Sequence, residues 1–247
     1  MRTFLGWCAD EAIIDHNPAS RLRDAGPLRS YRRTYGKVQA ANPGRWLSHS
    51  EAYGQLVGAC QDGTVVGLRD EIAIRLGLMG MRRSEICALT VASLRHLPSI
   101  SWTGKGHKPL KSTASPSLVA ALTRWLALYP NPAPASPVLC RARAGTFDLA
   151  IGAPARIQWG QPLTGDPLRL LVVARAAAAG LGHVSIHDLR RSAAGILHNA
   201  TTPDGAHHFD LMDIQQVLHH ADPVTTMRSY LEPMDTDVHD RAANFLD

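Results

Sequence analysis

Apolar residues recur at helical spacing along most of the chain. The first run, Phe4 to Ile14, stops at His16-Asn17-Pro18, where proline disfavours helix for the residue before it. One short helix cannot bury its own apolar face, so this segment reads as the end of a larger helical unit or as a strap on the main domain. Ser48 and Glu51 make a capping-box signal that predicts a helix to about Cys60. Another is predicted from near Thr64 to Leu78, with Val65, Leu68, Ile72 and Leu76 on one face and interruptions at Gly77 and Gly80. A further helix begins around Arg83 and continues to about Leu94.

Residues 99–113 change character. Ile100-Ser101-Trp102 alternates, Gly104-Lys105-Gly106-His107 makes a turn, and a polar strand follows, which predicts a β-hairpin with Lys105 at its tip. Pro116 opens a helix to Tyr129, residues 130–165 are rich in proline and glycine and give no assignment, and Asp166-Pro167 starts an alanine-rich helix ending at Gly180. Ser185 and Asp188 signal a second capping box, with a helix to about Asn199. A polar loop runs to Phe209, and a helix spans Asp210 to Leu218. Asp222-Pro223 opens a short helix with Tyr230 at its far end. Residues 236–246 form a last amphipathic helix with Val238, Ala242, Phe245 and Leu246 on one side. The expected class is mainly α with a small antiparallel β-sheet (α+β).

Composition adds bounds. At 247 residues and 45% hydrophobic content, the chain suits one large domain or one domain with a smaller attachment. Cys8, Cys60, Cys87 and Cys140 are scattered and form no CxxC pair, which fits neither a disulfide framework nor a zinc knuckle and points to a reducing cytoplasm. No stretch approaches the roughly 18 apolar residues of a membrane span, so no membrane partner is expected. The net charge is +5, yet residues 21–45 alone hold seven basic residues against one acid, Asp24. A solvated loop is the bland reading. Interleaving with Tyr31 and Tyr35 favours phosphate and sugar or base contact, with Arg29, Arg32, Arg33, Lys37 and Arg45 as the candidates.

Three further patterns carry chemistry. Gly80-Met81-Arg82-Arg83-Ser84-Glu85-Ile86 places arginines at a helix start after a glycine break. His187-Asp188-Leu189-Arg190 puts an imidazole and a guanidinium on one helical face. Leu218-His219-His220-Ala221-Asp222-Pro223 precedes Thr225-Thr226 and Tyr230. Arginine suits a phosphodiester because it stays charged and can bind two oxygens at once. A tyrosine oxygen can hold the cleaved strand covalently, and a lysine or histidine can protonate the departing 5′-oxygen.

In this order, the motifs resemble the tyrosine recombinase (phage integrase) family over roughly residues 45–247. The resemblance implies the DNA breaking-rejoining catalytic-domain fold and a site-specific recombinase or integrase acting through a 3′-phosphotyrosine, with no cofactor, metal or ATP. It implies a catalytic set of Arg82, Lys105, His187, Arg190, His220 and Tyr230, with Lys105 as general acid and Tyr230 as nucleophile. Glu85 would support the site without taking part. Residues 1–20 would be the last helix of a core-binding domain, 21–45 an interdomain linker, and 46–247 the catalytic domain. Partners would be double-stranded DNA and further copies of the chain, as a tetramer on a DNA synapse joined through the C-terminal helix. Two departures stand out. His219 occupies a position where the family commonly has glycine, and Tyr230 follows His220 by ten residues where nine is usual. A catalytically impaired DNA-binding relic is therefore the alternative function. The type IB topoisomerases share similar chemistry. His207-His208 and His219-His220 raise metal-dependent hydrolysis as a third reading, without an HExxH or acidic motif to accompany them.

Overall fold

The computed structural model describes residues 45–104, 106–143, 155–203 and 205–219. These are mostly helical, with two separate two-stranded antiparallel sheets, in agreement with the expected α+β class. The helix expected over Phe4 to Ile14, the basic stretch before Arg45 and every element expected beyond His219 lie outside the described residues. The chain divides between Gly44 and Arg45 into two units, and all described residues belong to the second.

The Ser48–Glu51 capping box forms: the Ser48 N–H donates to Glu51 Oε2 at 2.8 Å, and the Glu51 N–H donates to Ser48 Oγ at 3.2 Å. The segment it opens is wider than expected, a π-type helix over Ser50–Leu56 followed by a 3-10 turn over Gly58–Cys60. Helix α1 (Val65–Leu78) comes next, with the Thr64 hydroxyl accepting from the Gly67 N–H at 2.9 Å.

A single apolar face was expected on α1, and the structure differs. Ile72, Ala73, Ile74 and Leu76 are fully buried, and Arg69, Asp70 and Glu71 just before them are also buried. The reason is position. α1 packs against α3 (Pro116–Leu128), α4 (Gly165–Ala178) and α5 (Ile186–His198), which leaves little of it to water. Its charges persist inside because each has a partner, as buried charge requires. Arg69 Nε donates to Asp70 at 2.8 Å, Arg75 Nε to Glu71 at 2.8 Å, and Arg175 of α4 bridges Asp70 at 2.9 Å and Asp62 at 2.8 Å.

Helix α2 (Arg83–Ala88) is shorter than the expected run to Leu94. Beyond it the backbone is claimed by another segment. The Val138 N–H donates to Leu89 O at 2.8 Å, the Val91 N–H to Ser136 O at 2.9 Å, and the Ala92 N–H to Pro134 O at 2.8 Å. A 3-10 turn, Val91–Leu94, then leads to the expected hairpin, with β1 (Ser99–Thr103) pairing antiparallel with β2 (Pro109–Thr113). Pro116 occupies the first turn of α3, where a missing N–H breaks no helical bond.

A second hairpin, β3 (Cys140–Arg143) with β4 (Arg156–Pro162), lies in the stretch the sequence left unassigned. Its register shifts between Cys140 and Ala142, which disrupts the two-residue alternation that would have revealed it. Trp159 of β4 packs against Trp125 and Tyr129 with ring centroids 4.8 Å apart in each pair. α5 starts at the expected Ser185–Asp188 capping box, and α6 (Leu211–Leu218) is capped by Asp210. A small second core of Ala193, Ala194, Ile214 and Leu218 docks α6 on α5. Cys60, Cys87 and Cys140 are free thiols, and burial pushes Cys60 up to about 12, which makes it inert. Among the described residues no helix is long and apolar enough to cross a membrane.

Candidate functional site

Gly80 makes the site geometrically possible. Its φ of +93 turns the chain out of α1, and a Cβ there would lie 2.7 Å from Leu218 Cδ2. The end of α6 can therefore press against the turn that precedes Arg82. Arg82 is the residue before α2, and Glu85 holds it twice. The Arg82 N–H donates to Glu85 Oε2 at 2.9 Å, and its Nη1 donates to Oε1 at 2.8 Å. Glu85 is buried, whereas the Arg82 side chain keeps 34% of its surface exposed, so the acid fixes an arginine that still reaches outward.

Arg190 arrives from α5. It is buried, and its two terminal nitrogens donate to the carbonyls of Gly80 and Leu218. One guanidinium thus ties the end of α1 to the end of α6. His187 lies one turn earlier on the same helix. A cleft of 240 Å³ opens where these elements meet, with Arg82, Arg83, Arg169, His187 and Arg190 on its walls beside Met81, Ser185 and Ile186. No carboxylate is among those lining residues. Partial desolvation at the cleft edge, followed by the charge of Arg191, lowers the His187 pKa; Arg190 and Arg82 add to this and Asp188 opposes it. The shift favours the neutral ring.

The structure brings Arg82, His187 and Arg190 together. Lys105, His220 and Tyr230 lie outside the described residues, although the hairpin that carries Lys105 and the helix that leads to His220 are both described. Arg29, Arg32, Arg33 and Lys37 also lie outside. Arg45 is described, and its guanidinium turns to protein: Nη1 donates to the Leu181 carbonyl and Nη2 pairs with Glu51 Oε1 at 2.8 Å. Its N–H donates to Asp188 Oδ1 at 3.1 Å, next to His187.

Two cleft residues were not selected from sequence. Arg83 was left out of the catalytic set, yet it lines the cleft and packs over Gly165 at the start of α4. Arg169 sits in an alanine-rich helix with no motif around it, so only the packing of α4 against α2 reveals it. The metal reading gains no support. Among the described residues no three His, Cys, Asp or Glu side chains could hold an ion. His207 Nδ1 contacts the His198 carbonyl at 2.9 Å, while the ring of His208 turns to Phe209.

Comparison with known proteins bears on the same region. The tyrosine recombinase XerC of Corynebacterium efficiens is 27% identical over 229 residues, which is 92% of this chain and 63% of that protein. The XerH site-specific recombinase, solved on a palindromic difH substrate as a post-cleavage complex, superimposes with a TM-score of 0.59 at 22% identity over 82% of this chain and 53% of that one. The XerA recombinase superimposes with a TM-score of 0.52 at 21% identity over 75% of this chain and 58% of that one. The chain thus spans less than two thirds of the length of these relatives. The profile of the phage integrase family matches residues 45–236, a stretch that includes the whole cleft, the hairpin and Tyr230. The chain belongs to the phage integrase family.

Proposed function

We propose that this protein breaks and rejoins double-stranded DNA at specific sites through a 3′-phosphotyrosine, without metal or ATP. The observation that supports it is the meeting of Arg82 and Arg190, from elements over a hundred residues apart, on one cleft whose described lining residues include no carboxylate. A phosphodiester placed there meets guanidiniums from α2, α4 and α5. They neutralise the charge that builds on the non-bridging oxygens as a fifth bond forms at phosphorus. The Tyr230 oxygen attacks the phosphorus, and the bond to the 5′-oxygen breaks. On this reading His187 accepts the phenol proton. Lys105 gives a proton to the departing 5′-oxygen, and His220 hydrogen-bonds the phosphate. Attack by a free 5′-hydroxyl reverses the sequence and releases Tyr230.

On this reading Arg29, Arg32, Arg33 and Lys37 hold the DNA backbone, residues 1–20 belong to a preceding helical unit, and 46–247 form the catalytic domain. Arg45 then acts as the anchor of the linker, given its bonds to Glu51 and Leu181. Copies of the chain would assemble on DNA as a tetramer through the helix expected at 236–246. The solved XerH complex, held on its own DNA substrate, supports the DNA part of the reading by analogy.

The ten-residue interval from His220 to Tyr230 favours a second reading, a DNA-binding protein that does not cut, since one added residue turns a helical side chain by about 100°. A DNA substrate nicked near the cleavage point separates the two. The enzyme yields a covalent protein–DNA adduct that Tyr230→Phe abolishes. DNA retention with no adduct establishes the second reading instead.

A further inference from the structure

α6 ends at Leu218, and His219 immediately after it takes left-handed backbone, with φ 50 and ψ 45. Glycine adopts that conformation at no steric cost and histidine does not. The imidazole makes contacts that a glycine could not. Its Nε2 lies 3.3 Å from the Ser112 hydroxyl on β2, and its ring meets Trp102 on β1 edge-on, with centroids 5.4 Å apart and planes at 77°.

The register of the hairpin explains how one ring touches both strands. Trp102 pairs with Leu110 and Ile100 with Ser112, so Trp102 and Ser112 are diagonal neighbours on one face. Among the described residues this sheet has two strands, an arrangement of marginal stability without outside support. In the sequence Lys105 falls between Gly104 and Gly106, just after β1. On the other side of His219, the Leu218 carbonyl accepts from Arg190, and the Gly80 turn that leads into Arg82 packs on the Leu218 side chain. His219 therefore stands between the strand pair that carries Lys105 and the arginines of the cleft.

We infer that His219 is a positioning residue, which fixes the β1–β2 hairpin and its Lys105 against the end of α6 so that the proton donor and the arginine clamp keep one geometry. Burial first, then the charges of Arg190 and Arg82 against the opposing Glu85, hold the ring neutral, and either ring tautomer can then bond the Ser112 hydroxyl. The inference rests on the reading of Lys105 as the general acid.

His219→Gly tests it, because it keeps the left-handed turn and removes the ring; Ser112→Ala removes the other half of the contact. Hydrogen exchange on the full chain reads the hairpin directly, whatever the activity. Peptides across residues 99–113 should exchange about tenfold faster in His219→Gly while those across α3 stay unchanged. Exchange of the hairpin at the parent rate overturns the inference. Cleavage supplies the second measurement, on DNA with an ordinary 5′-oxygen and on DNA with a 5′-bridging sulfur that leaves without a proton. His219→Gly should lose about tenfold on the first substrate and less than about twofold on the second. Equal loss on both substrates shows that His219 does not act through Lys105 and overturns the inference. Lys105→Ala serves as the reference. If the sulfur substrate does not rescue it, the general-acid reading falls, and the exchange data alone decide whether His219 holds the hairpin.

Discussion

Arginines gather along helix α1 and past its end, in opposite company. Along it, Arg69, Arg75 and Arg175 of α4 are bound to Asp70, Glu71 and Asp62, and the cluster is mostly buried. Past its end, Arg82, Arg83, Arg169 and Arg190 line one cleft, whose described lining residues include no carboxylate, and Glu85 beside it holds Arg82. Like charges held close repel, and a fold gains nothing from collecting them unless an anion comes to occupy the space. The first cluster is architecture, and the second borders an open cleft with room for an anion. Counting arginines would not separate them; asking which of them line a cleft does.

The largest expected effect falls on the paired cluster. Asp70→Ala removes the carboxylate shared by Arg69 and Arg175 and leaves the buried Arg69 guanidinium short of a partner. A loss of about 3–5 kcal/mol of unfolding free energy is expected, read by urea titration, with DNA affinity of the folded protein unchanged. A loss below about 1 kcal/mol would erase the distinction between the clusters.

Arg82→Lys should do the reverse. Lysine keeps a cation for Glu85, so the unfolding midpoint should barely move. Losing the planar two-pronged donor should slow strand cleavage by about 100- to 1000-fold. Cleavage near the parent rate would mean that a cation alone suffices at this position.

Gly80 links the two ends of the comparison, and its substitution should have an intermediate effect. Gly80→Ala forces a side chain into a φ of +93 and against Leu218, whose carbonyl holds Arg190. About 1–3 kcal/mol of destabilisation is expected, together with slower cleavage. Destabilisation with undisturbed cleavage would show that α6 can shift without moving Arg190.

The sequence made the helices legible where local signals were strong. The Ser48–Glu51 and Ser185–Asp188 capping boxes, Pro116 at the head of α3 and the paired strands of the first hairpin all formed as read. It failed where partners distant in the chain decide. The helix stops before Leu89 because residues 134–138 take the Leu89 carbonyl and the Val91 and Ala92 N–H groups, and the polar middle of α1 is buried because α4 supplies Arg175. Arg82, His187 and Arg190 were legible as motif residues. Arg169 was not, since nothing local marks a lone arginine in an alanine-rich helix, and neither was the ring contact of His219 with the first hairpin.

The smallest effect concerns acid, and it separates the regions by pH. His187 and His219 both have pKa values lowered from the ordinary 6.5, chiefly by burial and then by neighbouring arginines. The unfolded chain therefore binds these protons more readily than the folded one, and stability rises with pH wherever that holds. Their contribution is complete above about 6.5 and is lost as pH falls from there towards the folded values. Asp62, in the paired cluster, behaves differently. Its partial burial alone would raise its pKa, but hydrogen bonds from Thr64 and Arg175 leave it below the ordinary 3.8. Its contribution persists above that value and fades only in stronger acid. The urea midpoint should therefore fall in two stages on acidification. His187→Gln and His219→Gly should flatten the stage between pH 7 and 5, taken as roughly one unit either side of the histidine value, and Asp62→Asn the stage below about pH 4. Both histidines retain solvent contact, so the first stage should be shallow. A midpoint that stays level through that first stage, or a slope there that survives both histidine substitutions, would show that the cleft does not hold its histidines neutral and would remove His187 as a proton acceptor.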